Sequence, residues 1–237
     1  MYQRLIVIWM VIGCCQSVLA NQLDTLLVQA AHRGDLDTVQ KALKNGAQVN
    51  TPIHGITALW WATSKNDTNI AQSLIKNGAQ TELSRRSVTP LIEASRLGHT
   101  KMAQILLRAN ANVDAHETFG KTPLMYAADQ GNTTLISALV GANADVNITG
   151  KNGWHALIHA SYRGHVNAAS QLIQARATLE QKDQKGKTAL LWAITQDHIE
   201  MVQLLLKAGA DPTTSDAKNK TAYDYAKDKP QILNLLP

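Results

Sequence analysis

Apolar and polar positions alternate along this chain in two recurring blocks. The first block opens with Thr or His, continues through apolar and small residues and closes on Ala: TALWWA at Thr57, TPLIEA at Thr89, TPLMYA at Thr122, HALIHA at His155, TALLWA at Thr188 and TAYDYA at Thr221. The starts lie 32, 33, 33, 33 and 33 residues apart. The second block has apolar residues at helical spacing, as in HIEMVQLLLKAG, where Ile199, Val202, Leu205 and Leu206 fall on one side. It ends on an alanine 22 residues after the start of the first block: Ala79, Ala111, Ala144, Ala177 and Ala210. From such an alanine to the next unit there are 10 residues after Ala47 and Ala79 but 11 after the later four. The tolerance in length therefore lies in the linker, and a turn is predicted there.

Each unit reads as two short helices and a hairpin. Thr at the first position can cap a helix by accepting a backbone N–H bond, and Pro90 and Pro123 suit the first helical turn, where an N–H has no partner. The first helix ends near a residue able to take left-handed geometry: Gly34, Asn66, Gly98, Gly131, Gly164 and, least comfortably, Asp197. The second stops at Gly46, Gly78, Asn110, Asn143 and Gly209, a pattern that Arg176 breaks. A short polar hairpin then turns the chain back.

The period and the segments GKTPLMYAADQGN (Gly120 to Asn132) and LLKAGAD (Leu205 to Asp211) resemble the ankyrin repeat, over Leu23 to the C-terminus. The resemblance implies an all-α solenoid of stacked helix pairs with short β-hairpin linkers. Its units are an N-terminal cap (21–54), five repeats (55–86, 87–119, 120–152, 153–185 and 186–218) and a partial C-terminal unit (219–237), in which Pro230 leaves little room for a second helix. The family's histidine in TPLH is absent, replaced by Trp60, Ile92, Met125, Ile158, Leu191 and Asp224. Apolar packing is expected to replace the inter-repeat hydrogen bond that this histidine makes in the family.

The next column holds Trp61, Glu93, Tyr126, His159, Trp192 and Tyr225, a ladder along the inner helices. It reads either as packing between repeats or as an aromatic groove for a ligand. The resemblance implies contacts with a protein partner from hairpin tips and from the two residues after the small pair closing each first helix. Those positions include Phe119, Lys121, Asp129, Gln130, Trp154, Tyr162 and Arg163. Phe119, the chain's one phenylalanine, falls on a tip, with Trp154 on the next and Tyr162 beside it. Replacing Trp154 or Tyr162 with Ala is expected to weaken partner capture and leave melting nearly unchanged.

The N-terminus changes the setting. Arg4, the apolar run Leu5 to Ile12 and the small residues SVLA form a secretory signal pattern with cleavage expected after Ala20, which would discard both cysteines, Cys14 and Cys15. The segment VIGC also resembles a bacterial lipobox, in which Cys14 would be lipidated. The expected location is periplasmic or secreted, with a lipid-anchored envelope protein as the alternative. The formal charge of +5 is scattered along the chain and does not argue for nucleic acid. The expected protein is a monomer without cofactor, off the membrane unless lipidated.

Catalytic motifs do not survive inspection. GKT at Gly120 and Gly186 lacks the earlier glycine of a phosphate loop, since Ala115 and Gln181 stand there. HETFG from His116 has Gly120 where a zinc-protease helix needs its second histidine. His155 and His159, four apart on one helix, could share a metal in an enzyme, but no third ligand is evident. Sequons at Asn66, Asn132, Asn147 and Asn219 would matter in a eukaryotic cell; the repeat already explains the first two as turn residues. The leading function is a non-enzymatic, exported binding module, an inhibitor or immunity-type protein or an accessory to an envelope protein.

Overall fold

The computed structural model describes residues 21–237, so cleavage after Ala20 and lipidation at Cys14 concern residues outside those described. The chain forms successive helix pairs: α1 (21–33) and α2 (Leu36–Lys44), α3 (Ala58–Ser64) and α4 (Thr68–Lys76), α5 (Pro90–Arg96) and α6 (Thr100–Arg108), α7 (Pro123–Asp129) and α8 (Thr133–Gly141). Then follow α9 (Ala156–Arg163) and α10 (Val166–Gln174), α11 (Ala189–Thr195) and α12 (Ile199–Lys207), and a last short pair, α13 (Ala222–Ala226) and α14 (Pro230–Leu233). Helices α3, α5, α7, α9, α11 and α13 stack on one another as an inner layer; α2, α4, α6, α8, α10, α12 and α14 stack as an outer one. Among the described residues, extended structure is confined to the linkers, with isolated antiparallel bridges at Ile53–Ile56 and Arg85–Val88.

The stack repeats its side chains as well as its backbone. Leu59, Leu91, Leu124, Leu157 and Leu190 are buried in one column, and Ala62, Ala94, Ala127, Ala160 and Ala193 in another. A large residue in the alanine column would push adjacent helices apart, and each buried leucine contributes about 1.5–3 kcal/mol. On α12 the buried residues are Met201, Val202 and Leu205, so the apolar face is centred one position from the expected one and leaves Ile199 and Leu206 half-buried.

Caps follow chemistry legible in the sequence. Thr57, Thr89, Thr122 and Thr188 each accept a hydrogen bond from the backbone N–H three residues on. Thr221 forms a reciprocal capping box with Asp224. All six residues expected to end the first helices have positive φ, Asp197 included at 58°. Arg176 also takes the left-handed conformation, at 68°, where Gly46, Gly78 and Gly209 stand in other units.

Polar staples hold neighbouring units in register. Three residues after each closing alanine stands Asn50, Glu82, Asp114, Asn147 or Glu180. Each side chain accepts the backbone N–H just after the next unit's closing alanine, from Gln80, Asn112, Asp145, Thr178 and Asp211 at 2.8–3.0 Å. At the family's histidine position Trp60, Ile92, Met125, Ile158 and Leu191 are buried, so apolar packing fills that column as expected and the polar staples add to it elsewhere in the unit. Other histidines, at the N-caps of outer helices, also reach back one unit: His99 to the Thr63 carbonyl at 3.2 Å, and His165 and His198 to those of Asp129 and Tyr162 at 3.1 Å. Their rings lie where a Cβ on Gly131 or Gly164 would sit, 2.7 and 2.8 Å away, so these two glycines serve both the turn and the histidine of the next unit.

The linkers explain the change in length. The shorter ones turn on two left-handed residues, His54–Gly55 and Arg86–Ser87, the geometry of a two-residue hairpin loop. The longer ones need one, Gly120, Gly153, Gly186 or Asn219. They also bond to each other: Lys151, Gln184 and Ala217 donate backbone N–H groups to the carbonyls of Phe119, Asn152 and Lys185 in the preceding tip.

Arg176 is exposed, and its side chain is absent from the hydrogen bonds and ion pairs among the described residues, so its cost is conformational. Arg176→Gly removes the Cβ penalty of left-handed geometry, about 1–2 kcal/mol, against some gain of unfolded-chain entropy. A net stabilisation of ~0.5–1 kcal/mol is expected in urea unfolding. An unchanged or lower midpoint would show that the arginine makes compensating contacts.

Candidate functional site

The hairpins set the chemistry of the inner face. In each longer hairpin the residue after the left-handed one reaches over the inner-helix residue five positions on. Lys121 Nζ lies 5.3 Å from the ring centre of Tyr126, Lys187 4.4 Å from Trp192 and Lys220 6.0 Å from Tyr225. In the fourth, Trp154 takes the lysine's place and meets His159 edge-on at 5.0 Å. The ladder column is thus roofed by cations and one indole; His159 and Trp192 are buried beneath this roof, whereas Tyr126 and Tyr225 keep partial access to solvent.

Asp183 is the hub. It is 7% exposed; Oδ1 accepts the backbone N–H groups of Lys185 and Lys187, and Oδ2 accepts both indole N–H groups, from Trp154 and Trp192 at 3.0 Å. The two indoles stand 5.1 Å apart, and Tyr162 packs on them at 5.1 and 5.4 Å. Lys187, also 4.3 Å from the Tyr225 ring, donates to Thr195, and desolvation lowers its pKa.

A second polar group lies across α7 and α9. Asp129 accepts from Arg163 Nε at 3.0 Å and from His159 Nδ1 at 3.4 Å. Desolvation lowers the pKa of His159 despite Asp129, so the ring is neutral near pH 7 and gives its Nδ1–H to the carboxylate. The bond from His159 and the Arg163 charge hold Asp129 far below the usual carboxylate range. His155 lies at the helix cap where the other full repeats place Thr. It is wholly buried, both ring nitrogens are unpaired, and burial, with nearby His159, pushes its pKa down to about 4.

The structure brings Trp154, Tyr162, Arg163 and Asp129 together. Phe119 stands on the adjacent tip, 69% exposed, and Lys121 closes that hairpin. Gln130 is committed elsewhere: its amide donates to the carbonyls of Ser95 and Arg96 and closes the end of α5. Trp154 is half-buried and bonded to Asp183 in the next hairpin, which corrects the expectation that its removal leaves melting unchanged. Asp183 and Lys187 were not among the expected contact residues, and Trp192 was read as a ladder residue without its bond to Asp183; an acid at the same hairpin position in Asp183 and Asp216 was the available signal. Among the described residues no three His, Cys, Asp or Glu side chains are grouped to hold a metal ion, and no helix is long and apolar enough to cross a membrane.

The family model described as ankyrin repeats (three copies) matches residues 6–85, 27–117, 80–149 and 124–216, most of the chain. The chain is an ankyrin-repeat protein. Among curated proteins no sequence matches it. Ankyrin repeats are generally protein-interaction modules, and this one shares their stacked helix pairs and projecting hairpins.

The buried histidine cap makes the ankyrin stack sensitive to acid. The unfolded chain binds a proton at His155 near pH 6.5 and the folded chain only near pH 4. The unfolded state therefore holds more protons between these values, and stability falls as pH drops through that window, by up to roughly 3 kcal/mol. His155→Thr restores the hydroxyl cap of the other repeats and is expected to flatten this part of the stability profile. Thermal melts from pH 7 to 4 read it; an unchanged slope would place the buried protonation on another group.

Proposed function

We propose that this protein is an exported, non-enzymatic module that holds a protein partner on its hairpin tips and the inner face of repeats three to five. The observation that carries this is Phe119, the most exposed large apolar side chain among the described residues, on the hairpin bonded through its backbone to the one that carries Trp154, itself part of a preorganised cluster with Tyr162 and Trp192. Aromatic side chains and arginine dominate interface energies, and side chains already fixed by Asp183 and Asp129 lose little freedom on binding. Export rests on the signal-like segment ending at Ala20, and the periplasm is the compartment that suits it. Neutralising a toxin or enzyme, or supporting another envelope protein, are the roles that fit such a module.

Phe119 and Trp154 separate binding from folding. Phe119→Ala is expected to weaken partner binding by ~1–2 kcal/mol with the melting transition unchanged, because its side chain is largely free of packing. Trp154→Ala strips an indole from Asp183 and is expected to lower stability by about 2–3 kcal/mol. Chemical crosslinking in envelope extract followed by calorimetry measures both. Full partner binding by Phe119→Ala would show that the partner contacts another face.

A further inference from the structure

The charges that look scattered along the sequence are set in line by the repeat. Residues 85–88, 116–121, 149–154, 182–187 and 215–220 form the last five hairpin tips and contain nine Lys and Arg against three carboxylates, a surplus of six. The whole chain has 23 against 18, a surplus of five, so the positive excess resides on this one edge.

The carboxylates there do not neutralise the edge. Glu117, Asp183 and Asp216 are 8%, 7% and 6% exposed and turn inward onto their own hairpins' backbone N–H groups. Arg86, Lys151, Lys185, Lys218 and Lys220 are exposed. Among the described residues the ion pairs involve Arg96, Arg163, His159 and Lys229, and no tip cation. Backbone bonds between the last four tips hold this part of the row at fixed spacing, with Phe119 within it.

We propose that the hairpin edge docks an acidic stretch of the partner protein, its carboxylates on the tip cations and an apolar side chain against Phe119. This rests on the protein-binding reading above. A row of about one or two cations per tip, an open phenyl ring and an otherwise near-neutral molecule suit a polypeptide of mixed acidic and apolar residues. Single-stranded nucleic acid needs a series of open aromatic faces for its bases. Here Trp154 and Trp192 pack on each other and Lys187 covers Trp192, which leaves Phe119 as the open ring on the edge.

Two variants with the same net charge test it. One carries Lys151→Glu, Lys185→Glu and Lys218→Glu on the tips; the other carries Lys44→Glu, Lys76→Glu and Lys207→Glu on exposed positions of the outer helices. The probes are a labelled peptide of about 12 residues, Glu-rich around a single Phe, and a single-stranded oligonucleotide of equal charge, followed by fluorescence anisotropy at low and high salt. The native protein is expected to bind the peptide at low salt and lose at least about tenfold in affinity at high salt. The tip variant loses binding about tenfold or more, the outer-helix variant retains it, and both keep the native helical spectrum. Equal loss in the two variants, salt-independent binding, or tighter binding of the oligonucleotide would overturn the proposal. Capture of one crosslinked partner equally by native protein and tip variant would also overturn it while leaving the protein-binding reading intact; absence of any protein partner would remove both.

Discussion

A helix of seven residues packed on one of nine has too little surface to enclose a core, and helices this short are marginal in water on their own. The apolar face of each pair must be covered by the pair beside it. That constraint fixes the columns of Leu59, Leu91, Leu124 and Leu157 and of their alanine counterparts, and it makes the repeat boundary the place where polar groups have to be matched. The staples from Asn50 through Glu180, and the histidines that reach back one unit, supply that matching. Apolar burial supplies the attraction; the staples set the register.

The same register has a consequence for charge. Many of the acidic side chains are taken up by the backbone, as helix caps at Asp35 and Asp67, as inter-unit staples at Glu82 and Asp114, and as hairpin clasps at Glu117, Asp183 and Asp216. Lysine cannot do this work, since its ammonium is a donor and the groups left open at caps and turns here are N–H donors too. The acids are drawn inward and the cations left outside. A chain with a mild overall charge thereby gains one positive edge.

Local features were legible in the sequence because they depend on neighbours within a few residues. The threonine caps, the left-handed stops from Gly34 to Asp197 and the position of the length change all lie within single turns. The cost at His155 was legible in part, as a histidine where the other repeats place threonine; its burial was not. The site was harder to read. Trp154 stands at the lysine position of its hairpin and looked like a free anchor, yet the carboxylate that fixes it is Asp183, 29 residues on. Gln130 looked like a contact residue, but the carbonyls it closes lie more than 30 residues back. Such partners become neighbours only when units are stacked, so they are visible in columns of the repeat rather than along the chain.

Whether a bound partner lies along the hairpin edge is read directly by a lysine-reactivity footprint of the captured complex. Acetylation with and without partner, quantified by mass spectrometry, compares Lys151, Lys185 and Lys218 on the tips with Lys44, Lys76 and Lys207 on the outer helices, all exposed in the free protein. Docking on the hairpin edge protects the tip lysines and leaves the reactivity of the outer ones unchanged. Protection confined to the outer helices, with the tips as reactive as before, would contradict it.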